Sequence, residues 1–221
     1  MKVIVSIDVG IVHLGVFVVE VDDEKNWEWK RVVHLERLCI LGCVHRTISR
    51  KECKLYHSKD MSDLVDHFYQ EFIRFTDSAD YVLIERQPLG GLAHVEQLLY
   101  KHYREKAQLI HPTIMHKDLG MKNIGYEKRK ERMTELAKEW LAEMGESNNK
   151  QWASYQNERI HDIADSMGLC RHFCNKQRVA TRSKKRLLHP LVRELDKFAF
   201  QPKREAKTFL KPNKTVVHQN L

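Results

Sequence analysis

Four acidic residues occupy positions in this sequence where an isolated carboxylate would be costly. Asp8 interrupts one apolar, strand-like run, and Glu85 ends another. Asp162 and Asp165 are three residues apart in a stretch with helical periodicity, so they share one helix face. Burying a charged group costs several kcal/mol unless something compensates it. These positions therefore indicate a site that uses carboxylates.

Converging carboxylates repel one another and raise one another's pKa, and divalent cations remove that conflict. Hard cations such as Mg²⁺ and Mn²⁺ prefer oxygen ligands, and two of them about 4 Å apart can bind the attacking and leaving oxygens of a phosphodiester. We therefore predict a nuclease active site with two Mg²⁺ or Mn²⁺ ions. The predicted ligands, which are also catalytic residues, are Asp8, Glu85, Asp162 and Asp165.

Each acid also has an ordinary structural interpretation. Asp8 could form a turn, and Glu85 could pair with Arg86 or end a strand. Asp162 and Asp165 could be the solvated edge of an amphipathic helix. Four acids on three separate elements favour one metal site over four independent explanations.

Strand and helix periodicities place these acids at the ends of regular elements. Apolar alternation and β-branched residues predict five strands, at 2–9, 14–21, 27–43, 81–84 and 109–115. Pro112 places the last of these towards an edge. Apolar residues at three- and four-residue spacing predict helices at 62–76, 93–106, 126–144 and 157–174. This order predicts an α/β fold, with a mixed sheet of three antiparallel strands and further parallel strands flanked by helices.

Three short motifs together resemble those of RuvC-type Holliday junction resolvases, in particular the resolvases of poxviruses and related large DNA viruses. The motifs are Ile7-Asp8-Val9-Gly10, Ile84-Glu85-Arg86-Gln87 and His161-Asp162-Ile163-Ala164-Asp165. The resemblance covers about residues 3–174. It implies a ribonuclease H-like fold, a homodimer, and dependence on Mg²⁺ or Mn²⁺. It also implies symmetric paired nicks across a four-way DNA junction during viral DNA replication or recombination.

The same family uses a lysine near the start of the helix between the glutamate and the aspartate pair. Four lysines are candidates: Lys117, Lys122, Lys128 and Lys130. If the apolar stripe of that helix faces inward, a turn of about 100° per residue puts Lys130 at the inner margin and Lys128 outside. We predict that Lys130 is catalytic and stabilises phosphate charge or orients the attacking water. An ordinary surface lysine on a basic helix is the alternative.

The basic charge of the chain is concentrated at its end. Residues 176–221 contain 13 Lys or Arg and 3 Asp or Glu, a net charge of +10. The remaining 25 basic and 27 acidic residues leave positions 1–175 close to neutral. We predict a resolvase domain at 1–175 and a basic C-terminal extension at 176–221. Such an extension indicates a phosphate backbone as partner, and a solvated tail that aids solubility is the alternative.

Cysteine usage and hydropathy indicate an intracellular protein in a reducing compartment, which for a virus is the host cytoplasm or nucleus. The five cysteines are odd in number, and the apolar N-terminal run lacks the features of a signal peptide. We expect no secretion and no membrane association. One alternative use of cysteine is a zinc site with the looser spacing of Cys39, Cys43, Cys53 and His57.

Other interpretations remain open on the residues alone. A ribonuclease H acting on RNA–DNA hybrids would share the metal chemistry, and a non-catalytic basic DNA-binding protein would share the charge. The N-terminal hairpin also resembles the phosphate hairpin of actin-like ATPases, which need two such domains. If the chain dimerises, apolar helix residues such as Leu98, Leu99 and Tyr100 are candidates for the interface.

Overall fold

Five strands rich in valine and isoleucine form one mixed sheet. In the computed structural model, which describes residues 1–42, 52–58, 60–145, 152–153, 155 and 160–199, these are β1 (Lys2–Asp8), β2 (Leu14–Asp22), β3 (Glu28–Leu38), β4 (Tyr81–Glu85) and β5 (Ala107–Ile110). The spatial order is β3-β2-β1-β4-β5. The first three strands pair antiparallel, and β4 pairs parallel with both β1 and β5. The predicted mixed sheet is therefore confirmed.

Helices cover both faces of the sheet. They are a 3₁₀ turn (Ile40–Gly42), α1 (Met61–Thr76), α2 (Ala93–Tyr103), α3 (Pro112–Asp118), α4 (Tyr126–Glu143) and α5 (His161–Ala199). Two separate core clusters show which helices lie on which face, because side chains alternate along a strand. Ile4 and Leu83 pack with apolar residues of α4 and α5, whereas Val5 and Val82 pack with those of α1 and α2. None of the described helices is long and apolar enough to cross a membrane.

Proline explains the main difference around β5. The strand predicted at 109–115 ends at Ile110, and Pro112 begins α3 instead. Proline is well suited to the first turn of a helix because its missing N–H has no intrahelical partner there in any case. His111 caps this turn, since its Nδ1 accepts a hydrogen bond from the Thr113 amide at 3.3 Å. Similarly, the strand predicted at 27–43 stops at Leu38.

The last helix is longer than predicted. The sequence indicated an end at Cys174, whereas α5 continues to Ala199. The Lys and Arg residues that follow are good helix formers, so the change to a basic composition does not end the helix. Arg178 joins this part of α5 to the β2–β3 turn, because its guanidinium donates to the carbonyls of Asn26 at 2.5 Å and Trp27 at 3.2 Å. The chain divides into two compact units, Met1–Thr181 and Arg182–Leu221.

Candidate metal centre

Strand register places the first two acids side by side. β1 and β4 are parallel, and Ile7 lies opposite Ile84, so Asp8 and Glu85 are the next residues at the carboxyl ends of adjacent strands. Side chains alternate along a strand, and Ile4 and Leu83 belong to the core beneath α4 and α5. Asp8 comes four residues after Ile4, and Glu85 comes two residues after Leu83, so their side chains lie on the same face of the sheet as these two. Both carboxylates therefore point towards α4 and α5.

The start of α5 brings the other two acids to the same place. Gly15 pairs with Asp8 in the sheet, and a Cβ at Gly15 would lie 2.0 Å from the carbonyl oxygen of Asp162. A side chain there would push the helix away, so glycine permits this close approach. Two residues before Asp8, the buried Ser6 hydroxyl donates to the carbonyl of Ser166 at 2.7 Å. These contacts fix the first turns of α5 against β1 and β2.

All five residues predicted for the site line one cavity of about 320 Å³. The predicted residues are Asp8, Glu85, Lys130, Asp162 and Asp165, and the other lining residues are Pro88, Pro112, Met115, His116, Tyr126 and Arg129. A larger cavity of about 570 Å³ shares Pro88 with it and contains Arg86, His111, His172 and Lys176 but none of the four acids. Cavity size alone would therefore have pointed away from the carboxylates.

Burial disfavours ionisation of Asp8, Glu85 and Asp165, and the charges of neighbouring acids add to this effect. Burial raises the pKa of Asp8 well above its usual range, and the nearby charges of Glu85 and Asp165 raise it further. Burial likewise raises the pKa of Asp165 to about 7, reinforced by Glu85 and Asp162 and opposed by Lys130. The pKa of Glu85 is raised less, because hydrogen bonds from Asp8, from Gln87 and from the backbone of Val9 offset the effect of burial. Without a cation, this environment favours the protonated forms of Asp8 and Asp165.

A glutamine and a second glutamate orient Glu85; the sequence motif includes Gln87 without a role for it, and Glu96 is not predicted. The Gln87 amide nitrogen donates to Oε2 of Glu85 at 2.6 Å. The backbone N–H of Gln87 in turn donates to Oε2 of Glu96 at 2.5 Å, and the Glu96 side chain is almost fully buried. Arg86, which the sequence suggested as a partner of Glu85, instead forms an ion pair with Glu96 at 4.0 Å. The sequence signal for this role is that Glu96 lies among the apolar residues of α2 that face the core.

Lys130 is the one of the four candidate lysines that lines the cavity. Lys117, Lys122 and Lys128 are exposed, whereas Lys130 is half-buried. Its Nζ lies 3.0 Å from Nε2 of His161 and 4.4 Å from the ring centre of Tyr126. The same His161 nitrogen is 3.2 Å from Oδ1 of Asp162. His161 therefore connects the lysine to the acids, a link that its position next to Asp162 in the sequence only hinted at.

The donor set fits Mg²⁺ or Mn²⁺. Four carboxylates offer hard oxygen ligands. Before all four can be charged together, Asp8 and Asp165 must lose their protons and the repulsion between the charges must be compensated. Bound cations would supply that compensation. The catalytic roles of the five residues stay predictions.

The raised pKa values predict how pH and metal together affect stability. Because folding raises the pKa of Asp8 and Asp165, the folded protein without metal binds protons more tightly than the unfolded chain. Its stability is therefore greatest when both acids are protonated, and it falls as the pH rises from the ordinary carboxyl range through about 7, the pKa of Asp165. Mg²⁺ binds the deprotonated acids, so it should raise Tm more at about pH 8 than at about pH 5.

Differential scanning fluorimetry with and without Mg²⁺ at the two pH values checks this expectation. Asp165→Asn should weaken the pH dependence, and the surface change Asp66→Asn should leave it intact. An equal Mg²⁺ effect on Tm at both pH values in the wild-type protein would contradict the proton–metal competition.

Comparisons with known proteins agree with this geometry. The family model described as "Poxvirus A22 protein" matches residues 2–176. No curated protein sequence matches the chain at a significant level. The fowlpox virus resolvase, solved with substrate Holliday junction DNA, is 17% identical with a TM-score of 0.57, over 79% of this chain and 97% of that one.

Two cellular resolvases have the same architecture. The yeast mitochondrial Holliday junction resolvase Ydc2 is 14% identical with a TM-score of 0.58, over 84% of this chain and 83% of its own. Thermus thermophilus RuvC is 16% identical with a TM-score of 0.50, over 81% of this chain and 97% of that one. At such identities the likeness establishes the fold, which is ribonuclease H-like. Because the family model covers most of its length, the chain belongs to the poxvirus A22 family of resolvases, and it is a nuclease that resolves Holliday junctions.

Proposed function

We propose that this nuclease hydrolyses DNA phosphodiesters with two Mg²⁺ or Mn²⁺ ions bound by Asp8, Glu85, Asp162 and Asp165. The observation that carries the proposal is the convergence of four carboxylates, from β1, β4 and α5, on one cavity. The raised pKa values of Asp8, Glu85 and Asp165 support it, since acids that resist ionisation without a cation form a site that a cation completes. When bound, such ions activate a water and stabilise the charge on the scissile phosphate.

The side chains of this chain divide the remaining work. Asp8 and Glu85 lie on rigid strands, and Gln87 fixes the carboxylate of Glu85 by a 2.6 Å hydrogen bond. Positioned ligands of this kind need little reorganisation during the reaction. Across the cavity, Lys130 offers a positive charge to a phosphate or orients the attacking water. Nζ of Lys130 lies 3.0 Å from Nε2 of His161, and the same nitrogen is 3.2 Å from Oδ1 of Asp162, so the ammonium lies close to the acids.

Substitutions that keep shape but remove charge test the assignment. Asp8→Asn, Glu85→Gln, Asp162→Asn and Asp165→Asn should each lower the single-turnover cleavage rate of a four-way junction by about 100-fold or more, while junction binding remains. Lys130→Ala should lower the rate by about 10- to 100-fold. The matched control is Lys128→Ala, which removes an exposed lysine two residues earlier on α4.

The same assay, run with Mg²⁺, Mn²⁺ or EDTA, should include flap, duplex and RNA–DNA hybrid substrates. We expect metal-dependent paired nicks in the four-way junction and slower cleavage of the others. Preferential cleavage of the hybrid would instead support a ribonuclease H activity. Near wild-type rates for two or more of the acid variants would refute the metal assignment.

We propose that the active form is a homodimer, because paired nicks on opposite strands need two active sites related by a two-fold axis. One of the predicted interface residues is excluded, since Leu99 is fully buried in the core beneath α1 and α2. Leu98 and Tyr100 are half-buried and pack against the same core. Sedimentation at micromolar concentration should give the mass of a dimer, with or without junction DNA. A monomer in both conditions would rule out the dimer.

We further propose that the basic extension at 176–221 contributes phosphate contacts. Its net charge of +10 contrasts with a near-neutral remainder, and each neutralised phosphate releases a condensed counterion. Replacing Lys184, Lys185 and Arg186 by Gln should weaken junction binding and make the slope of log affinity against log salt shallower by up to about 3.

The control for the extension keeps the charge and changes only the residue type, with Lys184→Arg, Lys185→Arg and Arg186→Lys. This variant should retain the wild-type salt slope. Cleavage at saturating enzyme should be unchanged in both variants, because no metal ligand is altered. If the Gln variant also keeps the wild-type slope, the extension serves solubility or a protein partner instead.

A further inference from the structure

A cysteine and two histidines form a second cluster apart from the four acids. Cys53 and His57 belong to the irregular segment 52–58, and His67 lies on α1. Their ligand atoms, one from each residue, all lie within 4.8 Å of one another. Cys53 Sγ is 3.5 Å from Nε2 of His67, and the two imidazole ring centres are 5.1 Å apart. A thiol and two imidazoles at this separation could share one metal ion.

The hydrogen bond of His67 prepares it to be a ligand. His67 is only 5% exposed, and its Nδ1 lies 2.6 Å from the backbone carbonyl oxygen of Asp63, one turn earlier on α1. A carbonyl can only accept, so Nδ1 carries the proton and Nε2 presents its lone pair to Cys53. Metal-bound histidines typically have this arrangement, in which the second ring nitrogen donates to a carbonyl or carboxylate.

The distance between Cys53 and His67 agrees with tetrahedral zinc. Zinc binds thiolate sulfur at about 2.3 Å and imidazole nitrogen at about 2.0–2.1 Å, and a tetrahedral angle between them gives a sulfur–nitrogen separation of about 3.5 Å. The Cys53–His67 pair has this separation. One thiolate and two imidazoles also select zinc over Mg²⁺ or Mn²⁺, which prefer oxygen. Ligand chemistry thus distinguishes this cluster from the four-carboxylate cavity.

The structure revises the zinc set that the sequence suggested. Cys53 and His57, two of the four residues of that set, lie in the cluster, and the third member is His67. The described cluster does not include Cys39, and Cys43 lies outside the described residues. Sequence reasoning assigned His67 to α1 without a function, because nine residues separate it from His57 and its neighbours are core residues.

We propose that Cys53, His57 and His67 bind a structural Zn²⁺ ion that joins segment 52–58 to α1. Three protein ligands leave one position of the tetrahedron for a further donor. A segment with few apolar contacts gains order from such a crosslink, and the binding free energy of the metal adds to that of folding.

The site would also support the region behind Asp8. Leu64 and Val65 of α1 pack in the same core cluster as Ile40 and Val9. The backbone N–H of Ile40 donates to the carbonyl of Ile11 at 2.7 Å, in the loop that follows β1. A metal that fixes the start of α1 therefore stabilises the core residues against which this loop packs.

Zinc content of the full-length protein, purified without chelators, tests the proposal. Mass spectrometry of the metal should give about one zinc per chain, falling to near zero in Cys53→Ser and in His57→Asn. Both changes lie in the irregular segment, so folding is less at risk than with the buried His67. His102→Asn, a histidine of α2 that pairs with Asp66 at 2.8 Å, is the matched control and should retain zinc.

Cobalt substitution distinguishes this site from the carboxylate site. Co²⁺ bound at the cluster should show a thiolate-to-cobalt charge-transfer band that is lost in Cys53→Ser and kept in Asp162→Asn. The wild-type protein should also lose several degrees in Tm when zinc is removed, whereas Cys53→Ser should be insensitive to the chelator. A zinc-free wild-type chain, full zinc content in Cys53→Ser, or zinc lost only in Asp162→Asn would each overturn the proposal.

Discussion

The rest of the structure depends on the repulsion among four carboxylates held at one end of a sheet. Burial raises the pKa of Asp8 and Asp165 for the same reason that it makes the site receptive to cations: the charged form is poorly solvated there. A flexible surface could let such acids move apart. Here β1, β4 and α5 fix them, with Gly15 and Ser6 holding the helix against the sheet. The fold therefore holds the acids together at a cost in stability that bound metal can offset.

Two kinds of support act on the site, and each follows from ordinary packing. On the face covered by α4 and α5, apolar contacts such as those of Met133 with Gly168 bring Lys130 and His161 over the acids. On the other face, α2 supplies Glu96, whose buried carboxylate accepts the backbone N–H of Gln87 and so orients the partner of Glu85. The buried carboxylate of Glu96 and the carboxylate of Glu85 thus each meet a hydrogen-bond donor, as buried charge requires.

Much of this could be predicted from the sequence, because strand alternation and helix periodicity are local signals. Asp8 and Glu85 end apolar runs, and the spacing of Asp162 and Asp165 puts them on one helix face, so their convergence followed from the predicted order of elements. The contacts that complete the site are not local. Gly15 matters only through its 2.0 Å approach to Asp162, and Glu96 only through a hydrogen bond across nine residues. The continuation of α5 beyond Cys174 does not follow from the sequence pattern, because the apolar periodicity that predicts the helix ends before the helix does.

Ligand chemistry distinguishes the two metal sites proposed for this chain. The carboxylate cavity presents oxygen donors whose protons must leave, which suits ions that bind weakly and accept a phosphate as a further ligand. The cluster of Cys53, His57 and His67 presents one soft and two borderline donors, which suit an ion that stays bound. The two sites also differ in attachment, since the acids lie on strands and a helix while two of the three zinc ligands lie on an irregular segment. Regular elements can position ligands for catalysis before the metal binds. An irregular segment, by contrast, needs the metal itself to fix it. Of these two sites, the cluster of Cys53, His57 and His67 is therefore the one that should couple metal binding to local folding.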